Sequence, residues 1–252
     1  MKTVLVKIGG KAAEDEGALR SLCAEMASRR SAESFLIVHG GGAEVTALSK
    51  RLGIQSVFVN GVRQTTPEEM DVVEMVLSGK VNKKLVRLCN SLGLKAVGIS
   101  GCDAGLCVGE PEEASRTGTV RSVNRAIVDT LLHAGYLPVI SPVSADWDGL
   151  ALNINADSVA FGLAAELAAT ALVFFSDIPG VLRDGAVIKE LVASDAPALI
   201  QSGVISGGMI PKVSASLEAV GRGVGNVIIG QYRDEGSLAA LLDGTSGTRI
   251  HA

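Results

Sequence analysis

Phosphate chemistry needs cations and unhindered backbone N–H groups, and three places in this chain offer one or both. Lys7 stands near the end of the aliphatic run 4–8 and is followed by Gly9 and Gly10, which let backbone N–H groups approach an anion. Gly40, Gly41 and Gly42 follow a second apolar run, 35–38, with His39 between. They lead into a helix-periodic stretch whose positive N-terminal end would face the same ligand. Lys212 comes after Gly207, Gly208 and Pro211, in the first turn of a stretch with Val213, Leu217 and Val220 at helical spacing. A cation there opposes the helix dipole at a cost of a few tenths to about 1 kcal/mol, which an anionic ligand offsets.

Two further groups place polar side chains at the starts of predicted helices. Arg63 follows the turn residues Asn60 and Gly61 and precedes Thr66-Pro67-Glu68-Glu69, a well-signalled helix start. Asn153 and Asn155 alternate at the end of a short strand, with Asp157 in the first turn of the helix that follows. Each feature also has a plain structural reading. Glycines turn chains, a strand-terminal lysine can be a solvated charge, and Asn and Asp favour helix starts for local reasons. Neither glycine cluster spells a Walker loop or the GxGxxG of a dinucleotide site. The pairing of two glycine clusters at strand ends, however, points to one negatively charged ligand.

The elements that must position these groups alternate between strands and helices. Helical spacing covers 14–30, 42–52, 67–78, 80–92 with Gly79 interrupting, 123–134, 157–169, one or two turns at 196–201, a helix beginning near Lys212, and a short helix at 237–242. Apolar runs place strands at 4–8, 35–38, 95–100, 137–141, 171–176 and, as the last, 226–230. The stretch 106–122 reads as exposed hairpin or loop. Residues 146–149 read as a turn in which Trp147 packs. This order implies parallel strands with right-handed crossovers and a ligand crevice at their carboxyl ends. A lobe boundary is expected just before residue 171, giving lobes 1–170 and 171–252.

Composition excludes several classes. With 47% hydrophobic residues, 3% aromatic residues and a net charge of −4, the chain has neither the basic footprint nor the stacking platform that nucleic acid requires. No apolar run reaches the ~20 residues of a membrane span, and the N-terminus has no signal-peptide pattern, so a cytoplasmic protein is expected. Cys23, Cys89, Cys102 and Cys107 form no CxxC pair and the three histidines complete no ligand spacing. The cysteines are expected to be reduced and mostly buried, with no metal site.

Lys-Ile-Gly-Gly at 7–10, His-Gly-Gly-Gly at 39–42, Asn-Gly-Val-Arg at 60–63, Gly-Lys-Val-Asn-Lys-Lys-Leu-Val at 79–86, Asn-Ile-Asn-Ala-Asp at 153–157, Ser-Asp-Ile-Pro-Gly-Val at 176–181, Gly-Gly-Met-Ile-Pro-Lys at 207–212 and Gly-Thr-Arg-Ile at 247–250 form an ordered set. Over nearly the whole chain this set resembles the amino acid kinase family. The resemblance implies a three-layer αβα sandwich around a mainly parallel sheet, with an N-terminal lobe for an acidic amino-acid substrate and a C-terminal lobe for ATP. It implies ATP-dependent phosphorylation of the side-chain carboxylate of N-acetyl-L-glutamate, a step of arginine biosynthesis, with magnesium carried by the nucleotide. By the same carry-over, Lys7 and Lys212 stabilise the transferring phosphoryl group and Asp157 orients both. Gly9, Gly10, Gly41 and Gly42 donate backbone hydrogen bonds to the phosphoryl group and substrate. Arg63 clamps a substrate carboxylate and Asn153 binds near the N-acetylated end. Ser176, Asp177, Ile178, Pro179, Gly180, Val181 and Leu182, with Val204, Ile205 and Ser206, surround adenine and ribose. The alternative within the family is a carboxylate of aminoadipate or glutamate carried by a small protein. A silent amino-acid sensor would lack a phosphoryl-binding lysine, and both are present. Arginine-sensitive relatives carry a helix before the lysine-bearing strand, where this sequence has Met1-Lys2-Thr3, so an arginine-insensitive homodimer is expected.

Overall fold

The computed structural model describes all residues except 10–14, 60, 113 and 114. The chain groups into two compact units, Met1–Phe35 with Ala164–Ala252, and Leu36–Leu163.

In the first unit the strands Lys2–Ile8, Ala171–Phe175 and Val227–Gly230 run parallel and adjacent, with Val4 opposite Ala171 and Leu172 opposite Val227. Their residues are aliphatic without alternation because helices cover a parallel sheet on both faces. All five residues of Ala171–Phe175 are buried, and each large one contributes roughly 1.5–3 kcal/mol relative to exposure. Helices Glu16–Arg29, Met209–Gly221 and Ser237–Leu242 belong to the same unit. The buried carboxylate of Glu25 accepts from the Tyr232 hydroxyl at 2.7 Å and from the Ala239 N–H at 3.1 Å. It therefore satisfies an N-terminal amide of the helix Ser237–Leu242 that has no intrahelical partner. These contacts explain why the units are not sequential halves divided at residue 170: the N-terminal strand and helix are bound to the C-terminal residues. Nor is 226–230 the last strand. Thr248–His251 returns antiparallel to Val227–Gly230, with Thr248 and Ile250 buried and Arg249 and His251 partly exposed.

In the second unit the parallel strands are Glu33–His39, whose last four residues lie in this unit, then Leu137–Ser141 and Ala96–Ser100. The helix beginning at Pro67 is not interrupted at Gly79. It widens into a π-helical stretch, Met75–Val81, and continues as Asn82–Ser91. A helical glycine costs about 1 kcal/mol, but burial of Val76, Leu77 and Val81 holds the backbone in place.

Cys107–Pro111, Thr117–Val123, Val143–Ala145 and Ala151–Ile154 close into a four-stranded barrel. The stretch expected as exposed hairpin is thus a hairpin with a buried inner face. Its inward positions are small: a Cβ at Gly109 would lie 2.7 Å from Ile154 Cδ1 and 2.8 Å from Leu152 Cδ1. Large side chains of the facing strand fill the interior, so the hairpin shows no apolar alternation of its own. The turn at 146–149 forms, but Trp147 does not pack within it, being 75% exposed. Asp146 Oδ1 holds the turn by accepting from the N–H groups of Asp148 and Leu150.

Candidate functional site

Within Leu36–Leu163 the sequence-predicted residues Gly41, Gly42, Arg63 and Asn153 line one cavity of about 360 Å³, within the ~300–1,000 Å³ of small-molecule sites. Two helices start at its wall, Gly42–Arg51 and Ala156–Glu166. Their first N–H groups and dipoles favour a negative ligand. Asn155 lines the cavity and caps the second helix, its Oδ1 accepting from the Asp157 N–H at 2.8 Å. Asp157 lies half-buried in that first turn.

Arg63 is buried and its two terminal nitrogens face four acceptors. Nη1 donates to Ser56 Oγ at 2.6 Å and to Glu69 Oε1, and Nη2 donates to the Gly42 carbonyl at 3.0 Å and to Thr46 Oγ1 at 2.7 Å. The guanidinium also lies 4.7 Å from the Phe58 ring centroid. Glu69, fully buried, spends Oε1 on Ser49, Ser56 and Arg63 together. This geometry pre-aligns the arginine and commits its four terminal N–H groups, so a two-point clamp through the Nη atoms alone requires an exchange of partners. Asn153 donates from Nδ2 to Thr65 Oγ1 at 2.8 Å, which leaves Oδ1 as its acceptor for a ligand. Thr65 N–H in turn donates to Thr117 Oγ1, and that hydroxyl donates to the Arg63 carbonyl at 2.6 Å. One hydrogen-bonded chain therefore joins the two substrate-recognition candidates.

The glycine loop has a buried support. His39 is fully buried, with Nδ1 2.9 Å from the Gly40 carbonyl and Nε2 3.1 Å from Asn82 Nδ2. A carbonyl only accepts, so Nδ1 carries the proton and Nε2 accepts from Asn82. Burial, with Lys83 nearby, pushes the His39 pKa down to about 4.

In the first unit Lys7 and Phe174 are register partners of the parallel strands and so point to the same face of the sheet. Lys212 Nζ lies 5.7 Å from the centroid of that same ring, within cation–π range. The two candidate phosphate-binding lysines thus share one aromatic neighbour. A Cβ at Gly9 would overlap Lys7 Nζ and approach Cε at 3.2 Å, so the lysine's end lies over the glycine. Gly10 is outside the described residues. Lys212 is the fourth residue of its helix, which begins at Met209.

The expected nucleotide residues divide. Asp177, Leu182 and Ser206 are exposed, Ser176, Ile178, Pro179 and Val204 are partly buried, and Gly180, Val181 and Ile205 are buried. The Ser176 N–H donates to the Gly230 carbonyl and the Val181 N–H to Thr248 Oγ1. Of the ten, Pro179 alone lines the cavity of about 470 Å³ found in this unit. Gln231 and Arg233 also line it. Sequence reasoning missed them, although they follow the carboxyl end of a parallel strand, where ligands of such sheets bind.

Among the described residues no cluster of three or more His, Cys, Asp or Glu could hold a metal ion. The four cysteines are free thiols, three of them buried and Cys102 exposed. Burial pushes the Cys107 thiol up, keeping it protonated. No helix of the described residues is long and apolar enough to cross a membrane. Helix-start amides, Lys7, Lys212 and Arg63 are groups whose chemistry suits an anion.

Residues 2–231 match the model of the Amino acid kinase family. An acetylglutamate kinase of Geobacillus kaustophilus is 46% identical over 231 residues, spanning 90% of this chain and 89% of that one. One from Chloroflexus aurantiacus is 43% identical over 252 residues, spanning 98% and 95%. The crystal structure of smu.665 from Streptococcus mutans UA159 matches with a TM-score of 0.83 at 27% identity, over 99% of this chain and 98% of that one. On the ordered motifs, the parallel α/β architecture and these matches, the chain belongs to the amino acid kinase family.

Proposed function

We propose that this protein transfers the γ-phosphoryl group of ATP to the side-chain carboxylate of N-acetyl-L-glutamate, giving N-acetyl-L-glutamyl 5-phosphate and ADP, a step of arginine biosynthesis. The observation that carries the substrate assignment is the cavity of Leu36–Leu163, where two helix starts, Arg63 and the Asn153 Oδ1 acceptor meet. A dicarboxylate suits the helix ends and the arginine, and an N-acylated nitrogen presents the single N–H that an amide oxygen can receive. The names of the relatives at 40–46% identity support the same reading.

In this reading a carboxylate oxygen of the substrate attacks the γ-phosphorus as the bond to the β-bridging oxygen breaks. The nucleophile is already ionised, so no general base is needed. Catalysis then rests on positioning and charge. We assign Lys7 and Lys212 to the equatorial phosphoryl oxygens and Asp157 to the orientation of these lysines. Gly9, Gly10, Gly41 and Gly42 supply backbone donors. Residues 176–182 and 204–206 take the adenine and ribose. Magnesium arrives with the nucleotide, bound by phosphate oxygens and water. A cytoplasmic homodimer completes the reading; light scattering reporting a monomer at assay concentration would remove that part of it.

The test is ADP release from ATP and magnesium with N-acetyl-L-glutamate, beside glutamate, aspartate, carbamate and N-acetyl-aminoadipate, with Lys212→Ala as control. Activity confined to N-acetyl-L-glutamate and lost in the variant is expected. Silence with every small acceptor would overturn the assignment.

A further inference from the structure

His39 takes no part in the reaction as assigned, yet it is a fully buried imidazole at the foot of the glycine loop. We propose that His39 is a positioning residue: its Nδ1–H fixes the 40–41 peptide plane and thereby aims the Gly41 N–H at the ligand. This inference rests on the reading that Gly41 donates to the phosphoryl group or substrate.

The argument is geometric. In a trans peptide the C=O of one residue and the N–H of the next point in opposite directions, and no peptide bond of the described chain is cis. The Gly40 carbonyl is held by the ring at 2.9 Å, so the Gly41 N–H points away from it, and Gly41 lines the cavity. Glycine has no side chain to restrain its torsions, and three in a row form a loop that would sample many orientations. The direction of this donor therefore has to be imposed from outside the loop. The following carbonyls of the loop are also held, that of Gly41 accepting from the Val45 N–H at 3.1 Å and that of Gly42 from Arg63 Nη2 and Thr46 Oγ1.

The ring is itself fixed by Asn82. Its Nδ2 also lies 2.9 Å from the Val139 carbonyl and 3.3 Å from that of Ile99, and its Oδ1 accepts from Lys83 Nζ. With Oδ1 held by a cation, Asn82 presents donors to His39, and only the Nδ1–H tautomer can accept them at Nε2.

Two substitutions separate the halves of this arrangement. In His39→Asn the side-chain nitrogen falls near the position of Nδ1 and can still donate to Gly40. In His39→Gln the amide reaches toward the position of Nε2 and meets Asn82 instead. A purely structural histidine predicts losses that follow the melting temperature in both variants. The positioning role predicts comparable falls in melting temperature but divergent function. The Gly41 amide 1H–15N resonance stays near its wild-type position in the Asn variant and is displaced in the Gln variant. The kcat for N-acetyl-L-glutamate falls within about 3-fold for Asn and by about 10²-fold for Gln, the size of one lost amide donor, with KM changing less than kcat. A Gln variant with an unmoved Gly41 resonance, or equal kcat losses in both variants, would overturn the proposal. If the wild-type protein phosphorylates none of the acceptors, the assigned function falls, while the amide resonance still decides the role of His39.

Discussion

Gly9 and Gly41 hold similar places, just beyond the end of an aliphatic strand, but they are glycines for different physical reasons. At Gly9 the backbone is ordinary, and what a Cβ would meet is the end of the Lys7 side chain. At Gly41 φ is +152°, and a Cβ would lie 2.8 Å from Leu77 Cδ2 and 3.2 Å from Val81 Cγ2. The first glycine makes room for the Lys7 ammonium, to which the proposed function gives the phosphoryl group. The second lets a loop lie against a packed helix. One sequence signal thus covers, on the proposed assignment, a functional cause in one unit and a structural cause in the other, and substitutions should separate them.

The largest effect should come from removing the cation that Gly9 accommodates. Lys7→Met is expected to lower kcat by about 10²–10³-fold, as for loss of one electrostatic donor to the transition state. The melting temperature should stay within a few degrees, since Lys7 is only partly buried. Steady-state kinetics beside a thermal melt checks this, and a kcat within 3-fold of wild type would remove the functional half of the contrast.

Gly41→Ala should behave in the opposite sense. The left-handed backbone and the overlap with Leu77 together cost about 3 kcal/mol, read as a lower urea midpoint at unchanged slope. Activity should fall with the loop's geometry. Unchanged stability would mean that Leu77 and the π-helical stretch yield easily, and the structural half of the contrast would fail.

His39 sharpens the comparison because its support of the glycine loop depends on pH. Its folded pKa of about 4 lies below the ordinary 6.5. Between those values the unfolded chain binds the proton that the folded chain refuses. Stability is therefore complete above about pH 6.5, declines as pH falls, and reaches its full loss below about pH 4. At pH 5 the loss is about 2 kcal/mol relative to pH 7. The measurement is the difference between wild type and His39→Asn in urea denaturation at both pH values, which cancels the carboxylates common to both. Parallel pH curves for the two proteins would rule the contribution out.

What could be read from sequence in these regions was local, and what could not was the identity of partners. The strand-to-glycine junctions, the Thr66 cap and the Asn155 cap are set by residues within a few positions of one another, while Asn60 of the turn expected before Arg63 lies outside the described residues. Each was legible as type and spacing. The hydrogen bond from Asn153 to Thr65 joins residues 88 apart in the sequence, and Thr117 binds to both Thr65 and the Arg63 carbonyl across gaps of 52 and 54 residues. Nothing near Glu69 announces that it will be buried against Arg63, since a glutamate in a first helical turn is ordinary. The same reason hid the barrel: the small inner residues of 107–123 take meaning only from Leu152 and Ile154. It also hid the π-helical passage through Gly79, where distant packing overrides a local breaker.

The smallest and most discriminating effect belongs to Gly9→Ala. The new methyl group would overlap the Lys7 ammonium, but that group is the end of a flexible chain and can rotate away at little cost to the fold. Stability should change by less than about 1 kcal/mol. The ammonium would move by an ångström or more, and a misplacement of that size weakens transition-state stabilisation about 10-fold or more. The expected result is a lowered kcat with nearly unchanged urea midpoint, the reverse of the Gly41 variant. In the Lys7→Met background the same alanine should cost almost no further activity, because the group it displaces is already gone. Additive losses in the double variant would show that the alanine acts independently of the lysine, and that making room for Lys7 is not why Gly9 is a glycine.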